Sequence, residues 1–208
     1  MYSPSNLRNG LKKGKSVVLA SNNRGKLAEM QEIMKGYQVY SQSEFFLDQV
    51  EETGHSCIEN AILKARYAAE KTGLPAIGDD SGLFVEALNG APGLFSARFA
   101  GDNASDQANV QKLLKVMQDI PEGHRHAKYV CTMAYVRHAS DPLPICVSAD
   151  WAGYILAEPR GQEGYGYDSV FYLFRERATV AELSPVLKIR LSNRTQALRE
   201  LLAQIDKY

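Results

Sequence analysis

The sequence predicts an α/β protein organised on a mixed β-sheet, and three features lead there. Short apolar runs near the N-terminus alternate with segments of helical periodicity, the order expected of strands joined by helices. Residues 127–151 instead favour strands and are broken by one turn signal, as in an antiparallel meander. The chain closes on a further amphipathic helix. With 208 residues there is length for one domain, or one domain in two lobes, around a sizeable core. Residues 16–208 are read as that single domain. The polar, basic residues 1–15 are read as a flexible lead-in without the apolar stretch of a secretory signal.

In chain order, residues 16–20 form a short apolar run bounded by polar residues and are expected to be a buried strand. Leu27, Met30, Ile33 and Met34 then recur at helical spacing over residues 26–34. Ser56 with Glu59 three residues later is a capping-box signature, and Ile58, Ala61, Ile62, Ala65 and Ala68 continue one apolar face until Gly73 and Pro75 stop the helix. Residues 75–78 read as a brief strand that delivers Asp79 and Asp80 to a turn. Residues 83–88 read as a strand closed by Asn89-Gly90, a hairpin signal. Ser105 is expected to cap a third helix that buries Val110, Leu113, Leu114 and Met117. Asp141-Pro142 is the turn inside the strand-rich middle. A glycine-rich loop over residues 161–166 precedes a strand over 170–174, and the last helix is expected to start near Ser192.

Composition narrows the function classes. Lys plus Arg and Asp plus Glu number 24 each, so no global field gathers nucleic acid or an anionic membrane. No apolar run approaches the roughly 20 residues that span a bilayer. Cys57, Cys131 and Cys146 form no C-x-x-C pair and sit in apolar stretches, so they are read as buried reduced thiols in a cytoplasmic protein.

Four segments are candidates to carry chemistry. In Ser21-Asn22-Asn23-Arg24-Gly25-Lys26 a loop enters a helix, where backbone N–H groups and the positive end of the helix dipole suit phosphate. Gly25 permits close approach, Asn23 offers an amide donor and Lys26 a mobile charge. Taken alone, an ordinary N-capped surface helix explains this segment. In Asp79-Asp80-Ser81-Gly82, with the earlier pair Glu51-Glu52, adjacent carboxylates repel unless a cation or hydrogen bonds compensate. Mg²⁺ takes such hard oxygen ligands, one or two carboxylates together with phosphates and waters. An acidic surface turn is the alternative, and the apolar run before it favours a site. In Gly164-Tyr165-Gly166-Tyr167-Asp168, aromatic rings could stack on a base and a carboxylate could accept ring N–H groups; a glycine-rich turn before a core strand explains the segment equally. Finally, Lys188, Arg190 and Arg194 place positive charge around a helix start at Ser192, either an anion site or a solvated basic patch.

Their order along one chain is more specific than any of them. S-N-N-R-G-K, E-E-T-G-x-[SC]-x-x-E-N-A, G-D-D-S-G-L-x-V, G-A-P-G-L-F-S-A-R-F-A-G, G-Y-G-Y-D and L-S-N-R-x-x-A-L together resemble the Ham1, or inosine triphosphate pyrophosphatase, family from about Val17 to Leu202. The resemblance implies a long mixed sheet flanked by helices, two lobes with a nucleotide cleft between them, and a homodimer. It implies Mg²⁺-dependent hydrolysis of the non-canonical purine triphosphates ITP, dITP and XTP to monophosphate and pyrophosphate. By the same resemblance, Ser21, Asn22, Asn23, Arg24, Gly25 and Lys26 form the phosphate loop and Lys64 faces the triphosphate. Glu52, with Glu51 as its alternative, and Asp80 hold the metal, Asp80 also serves as general base, and Ser81 touches substrate. Tyr165, Gly166, Tyr167, Asp168, Lys188, Asn193 and Arg194 belong to base recognition. The roles of Asp79 and Asp80 toward water and metal stay open. A pyrophosphatase of the similarly shaped Maf type and a non-catalytic nucleotide sensor are the rival readings.

Ser21 replaces the family's usual threonine and keeps its hydroxyl, whereas two other departures from the family pattern matter. Asn193 stands where a histidine is usual and Ser169 where a proline is usual. An amide can donate to a 6-oxo group or, flipped, accept from a 6-amino group. The expectation is a retained preference for ITP, dITP and XTP with weaker rejection of adenine nucleotides.

Overall fold

The computed structural model describes residues 16–207; the expectation for residues 1–15 lies outside them. The described residues form strands β1 (Ser16–Leu19), β2 (Gln38–Ser41), β3 (Ala76–Val85), β4 (Pro92–Gly93), β5 (His126–Val136), β6 (Ile145–Ile155), β7 (Phe171–Leu173) and β8 (Ala178–Thr179). Helices α1 (Arg24–Ile33), α2 (Cys57–Thr72), α3 (Asp106–Val116), α4 (Pro185–Leu191) and α5 (Asn193–Ile205) accompany them. The strands make one mixed sheet in the order β2-β1-β3-β5-β6-β7-β8, with β4 paired antiparallel to β3. β1 lies parallel to both β2 and β3. β6, β7 and β8 are antiparallel neighbours. The expected mixed sheet is therefore present.

The chain separates into two compact units. The first takes residues 16–80, 132–148 and 194–207, and the second takes residues 81–131 and 149–193. In the first, β1 and β3 pack on α2 through small side chains: Val18, Ala20 and Ala76 meet Ala65, Ala68 and Ala69. α2 is capped by Ser56, whose hydroxyl accepts from Glu59 N, and it ends at Gly73 with φ 69°. Its alanines let the sheet approach closely. The tightest point is Gly78, where an added Cβ would lie 2.2 Å from the Ala61 carbonyl oxygen. In the second unit, Leu83, Val85, Val110, Leu113, Met117, Ile155, Phe171 and Leu173 share one core. The buried guanidinium of Arg125 there donates to the carbonyls of Met117, Ile120, Ile155 and Leu156, so its N–H groups are matched to backbone rather than to a carboxylate.

Several expected boundaries move. Asp79-Asp80-Ser81-Gly82 is no turn: β3 runs through it unbroken, with Asp79 and Asp80 buried. Turn-forming residue types were outweighed by sheet pairing and by cations and an amide that compensate the carboxylates. α1 starts at Arg24, because Asn23 is the N-cap, and Gly25 lies inside the helix rather than in the loop. β3 ends at Val85, and the hairpin to β4 passes through a 3₁₀ turn at Glu86–Leu88 and left-handed Asn89. β2, β8 and α4 had no expected counterpart. Ser192 closes α4, and α5 begins one residue later.

Candidate active site

In the first unit a set of charged side chains gathers around the middle of β3. Ser21 accepts from the backbone N–H of Asn23, and the Asn23 side-chain oxygen accepts from Lys26 N, which fixes the start of α1. Asn23 thus caps the helix through its side-chain oxygen, an acceptor, and its amide donor is the other end, Nδ2. Asn22 is exposed beside it, and Arg24 opens α1. From that first turn the Lys26 ammonium reaches Asp79 at 2.6 Å. Asp79 is 3 % exposed, and burial alone would raise its pKa. The positive charges of Lys26, Arg194 and Lys64 overcome that cost and hold it at about 2.

Asp80 has different partners. Asn60 Nδ2 donates to its Oδ2 at 3.2 Å, and the Lys64 ammonium lies 3.3 Å from its Oδ1. The same ammonium lies 2.5 Å from Glu52 and donates to the Asp79 carbonyl at 3.0 Å. Burial disfavours the charged form of Lys64, but Asp80, Asp79 and Glu52 outweigh it and raise its pKa. Asn60 is a hub that the motif reading passed over. Its side-chain oxygen accepts from Gly54 N at 2.8 Å, so the loop carrying Glu52 and the strand carrying Asp80 share one amide. A buried asparagine on an alanine-rich face was the available signal. Glu51 is exposed.

Glu52 and Asp80 thus converge on a single ammonium. The described residues include no cluster of three potential metal ligands. Two convergent hard carboxylates do fit Mg²⁺, which completes its octahedron with waters and substrate phosphates rather than with an all-protein cage.

Arg194 also belongs to this unit. Its guanidinium meets Glu29 of α1 at 2.7 Å, with both side chains about nine-tenths buried. Glu29 was not a sequence candidate; only its helix periodicity was legible.

The second unit holds the glycine-rich segment. Three successive amides are captured by three side chains: Tyr165 N by Asp168 (3.0 Å), Gly166 N by Asp106 (2.7 Å) and Tyr167 N by the Tyr129 hydroxyl (3.0 Å). A loop whose amides are taken this way is suited to presenting side chains rather than to cradling an anion. Gly164 has φ 88°, and a Cβ there would lie 2.2 Å from Asp168 Oδ2, so the capture of Tyr165 N depends on glycine. The Lys188 ammonium bonds Asp168 at 2.7 Å and sits 4.3 Å from the Tyr165 ring centroid, a cation–π contact. Tyr167 is buried, and its hydroxyl donates to the Ser96 carbonyl. Asn193 Nδ2 donates to the Tyr129 carbonyl at 3.0 Å. Ser81 follows Asp80 in β3 and is half-buried. Beside the loop, α3 and residues 159–169 line a cavity of about 550 Å³.

The sequence-predicted residues therefore form two sets: Ser21 to Lys26, Glu52, Lys64, Asp80 and Arg194 in the first unit, and Ser81, Tyr165 to Asp168, Lys188 and Asn193 in the second. The Ham1 family profile matches residues 17–204. The chain belongs to the Ham1 family. Among its relatives, a protein of Vibrio parahaemolyticus named dITP/XTP pyrophosphatase is 49% identical over 92% of this chain and 97% of its own length. A protein of Escherichia coli O157:H7 with the same name is 49% identical over 89% of this chain and 95% of its own. The solved structure of a HAM1 protein from Coxiella burnetii superposes with a TM-score of 0.87 at 44% identity, covering 94% of this chain and all of that one. A dITP/XTP pyrophosphatase structure from Mycobacterium abscessus gives 0.74 at 37% identity, covering 91% and 99%. No helix among the described residues is long and apolar enough to cross a membrane, and the three cysteines there form no disulfide. Cys57 and Cys131 are buried as expected, whereas Cys146 is only half-buried.

Proposed function

We infer that this Ham1-family chain is a pyrophosphatase that hydrolyses the non-canonical purine nucleoside triphosphates ITP, dITP and XTP to monophosphate and pyrophosphate, cleansing the nucleotide pool. The observation that carries the reading is the pair of buried carboxylates on β3, each compensated by its own lysine, in a chain half identical to proteins named for this reaction.

We assign the triphosphate to the first unit's groups. Ser21, Asn22, Asn23, Arg24 and Gly25 form the loop and helix start that would receive phosphate oxygens. Lys26 and Lys64 supply positive charge; Arg194, which the resemblance placed with the base, is assigned here instead because it lies in the first unit and its charge acts on Asp79. Glu52 and Asp80 would hold Mg²⁺, whose chemistry is neutralisation of triphosphate charge. Asp79 keeps Lys26 in place, and this leaves Asp80, steadied by Asn60, to orient or deprotonate the water that attacks the α-phosphorus. Little covalent help is needed, because phosphoryl transfer depends on positioning and electrostatics. We assign the base to Tyr165, Gly166, Tyr167, Asp168, Lys188 and Asn193, with Ser81 contacting substrate between the two tasks in sequence. A cytoplasmic homodimer is part of the same proposal.

A panel of ITP, dITP, XTP and the common triphosphates with Mg²⁺, reading pyrophosphate and orthophosphate separately, tests the reading. Fastest pyrophosphate release from dITP, ITP and XTP is expected. Orthophosphate as the primary product, or no turnover of these three, would overturn it.

A further inference from the structure

We propose that Tyr129 is a positioning residue that ties the Tyr165–Asp168 loop and Asn193 into one base-recognition element. The proposal rests on the assignment of those two segments to the base. Tyr129, on β5, reaches both with different atoms. Its hydroxyl accepts from Tyr167 N at 3.0 Å, and its backbone carbonyl accepts from Asn193 Nδ2 at 3.0 Å. Its ring stands edge-on against fully buried Phe171, with centroids 4.9 Å apart, so the hydroxyl has little freedom to move off the loop. Burial raises the phenol well above its ordinary pKa and keeps it neutral.

The carbonyl contact also orients Asn193. A carbonyl accepts only from the NH₂ end of the amide, so Oδ1 is the end turned away from Tyr129. On the loop, Tyr129 holds the amide next to the one Asp106 holds, and these contacts set where the Tyr165 ring and the Asp168 carboxylate stand. None of these groups belongs to the Lys26–Asp79 or Lys64–Asp80 pairs. Loosening Tyr129 should therefore weaken base selection while leaving phosphate binding alone.

Tyr129→Phe removes only the hydroxyl and keeps the ring and the carbonyl. Loss of one hydrogen bond predicts a rise in KM for dITP of about three- to tenfold. The dITP-to-dATP ratio of kcat/KM should fall, kcat should fall by less than KM rises, and inhibition by inorganic tripolyphosphate should stay at the wild-type level. Amide hydrogen exchange at Tyr167 should accelerate. Tyr165→Ala serves as the control. If it raises KM for dITP while Tyr129→Phe changes neither KM, the ratio nor Tyr167 exchange, the role of Tyr129 is refuted. Equal weakening of tripolyphosphate inhibition and dITP KM in Tyr129→Phe would also refute it, since the residue would then act on the whole enzyme. If Tyr165→Ala leaves KM for dITP unchanged, the base assignment itself falls.

Discussion

Replacing Asp79 by asparagine removes a buried negative charge that three cations surround. In the native protein its pKa is about 2, against an ordinary value of 3.8. A depressed carboxylate stabilises the fold above its unfolded pKa, and that stabilisation is lost as pH falls through the folded value. The difference between the two values amounts to about 2–3 kcal/mol, fully present at neutral pH, and about half of that remains near pH 3. Asp79→Asn should thus lower the urea-unfolding free energy by about 2–3 kcal/mol at pH 7, with the difference from wild type shrinking to roughly half near pH 3. Because the variant also releases Lys26, its KM for dITP should rise more than its kcat falls. A stability difference that is the same at both pH values would refute the electrostatic account of Asp79. Loss of turnover with unaltered stability would instead make Asp79 a reacting group.

The other perturbations separate the remaining roles. Asp80→Asn should fold normally and lose about 10²-fold or more in kcat, as for a lost general base; near-normal turnover would remove Asp80 from the mechanism. Glu52→Gln should raise the Mg²⁺ concentration for half-maximal activity by about tenfold or more, read by metal titration at saturating dITP. Asn60→Ala frees both Asp80 and the Glu52 loop, so kcat should fall about tenfold in steady-state assays while inhibition by tripolyphosphate changes little. Asn193→His should raise the dITP-to-dATP ratio of kcat/KM; an unchanged ratio would show that Asn193 does not set base selection.

Much of this was legible from residue order. The helix caps at Asn23, Ser56 and Ser105 are local signals, and two of them, Ser56 and Ser105, were read directly; their side chains do accept the expected amides. The acidic segment was located but misread as a turn, since Asp, Ser and Gly are turn residues by local preference. What makes them a strand is distant in sequence: Lys26, Asn60 and Lys64 compensate the carboxylates, and the alanine-rich face of α2 leaves room for Gly78. β2 is only four residues long and lacks an apolar run, and α4 was hidden inside a basic patch. Tyr129, Asp106 and Glu29 carried no motif, because each acts through a partner at least 38 residues away. Residue chemistry pointed to the candidate segments and the family resemblance to individual residues; the proposed division of labour between Asp79 and Asp80 rests on their separate partners.

The central claim is attack on the α-phosphorus by water that Asp80 orients. Hydrolysis of dITP in ¹⁸O-labelled water tests it most directly. The label should enter dIMP and leave pyrophosphate unlabelled. Label in pyrophosphate or in orthophosphate would place the attack at another phosphorus and contradict the account.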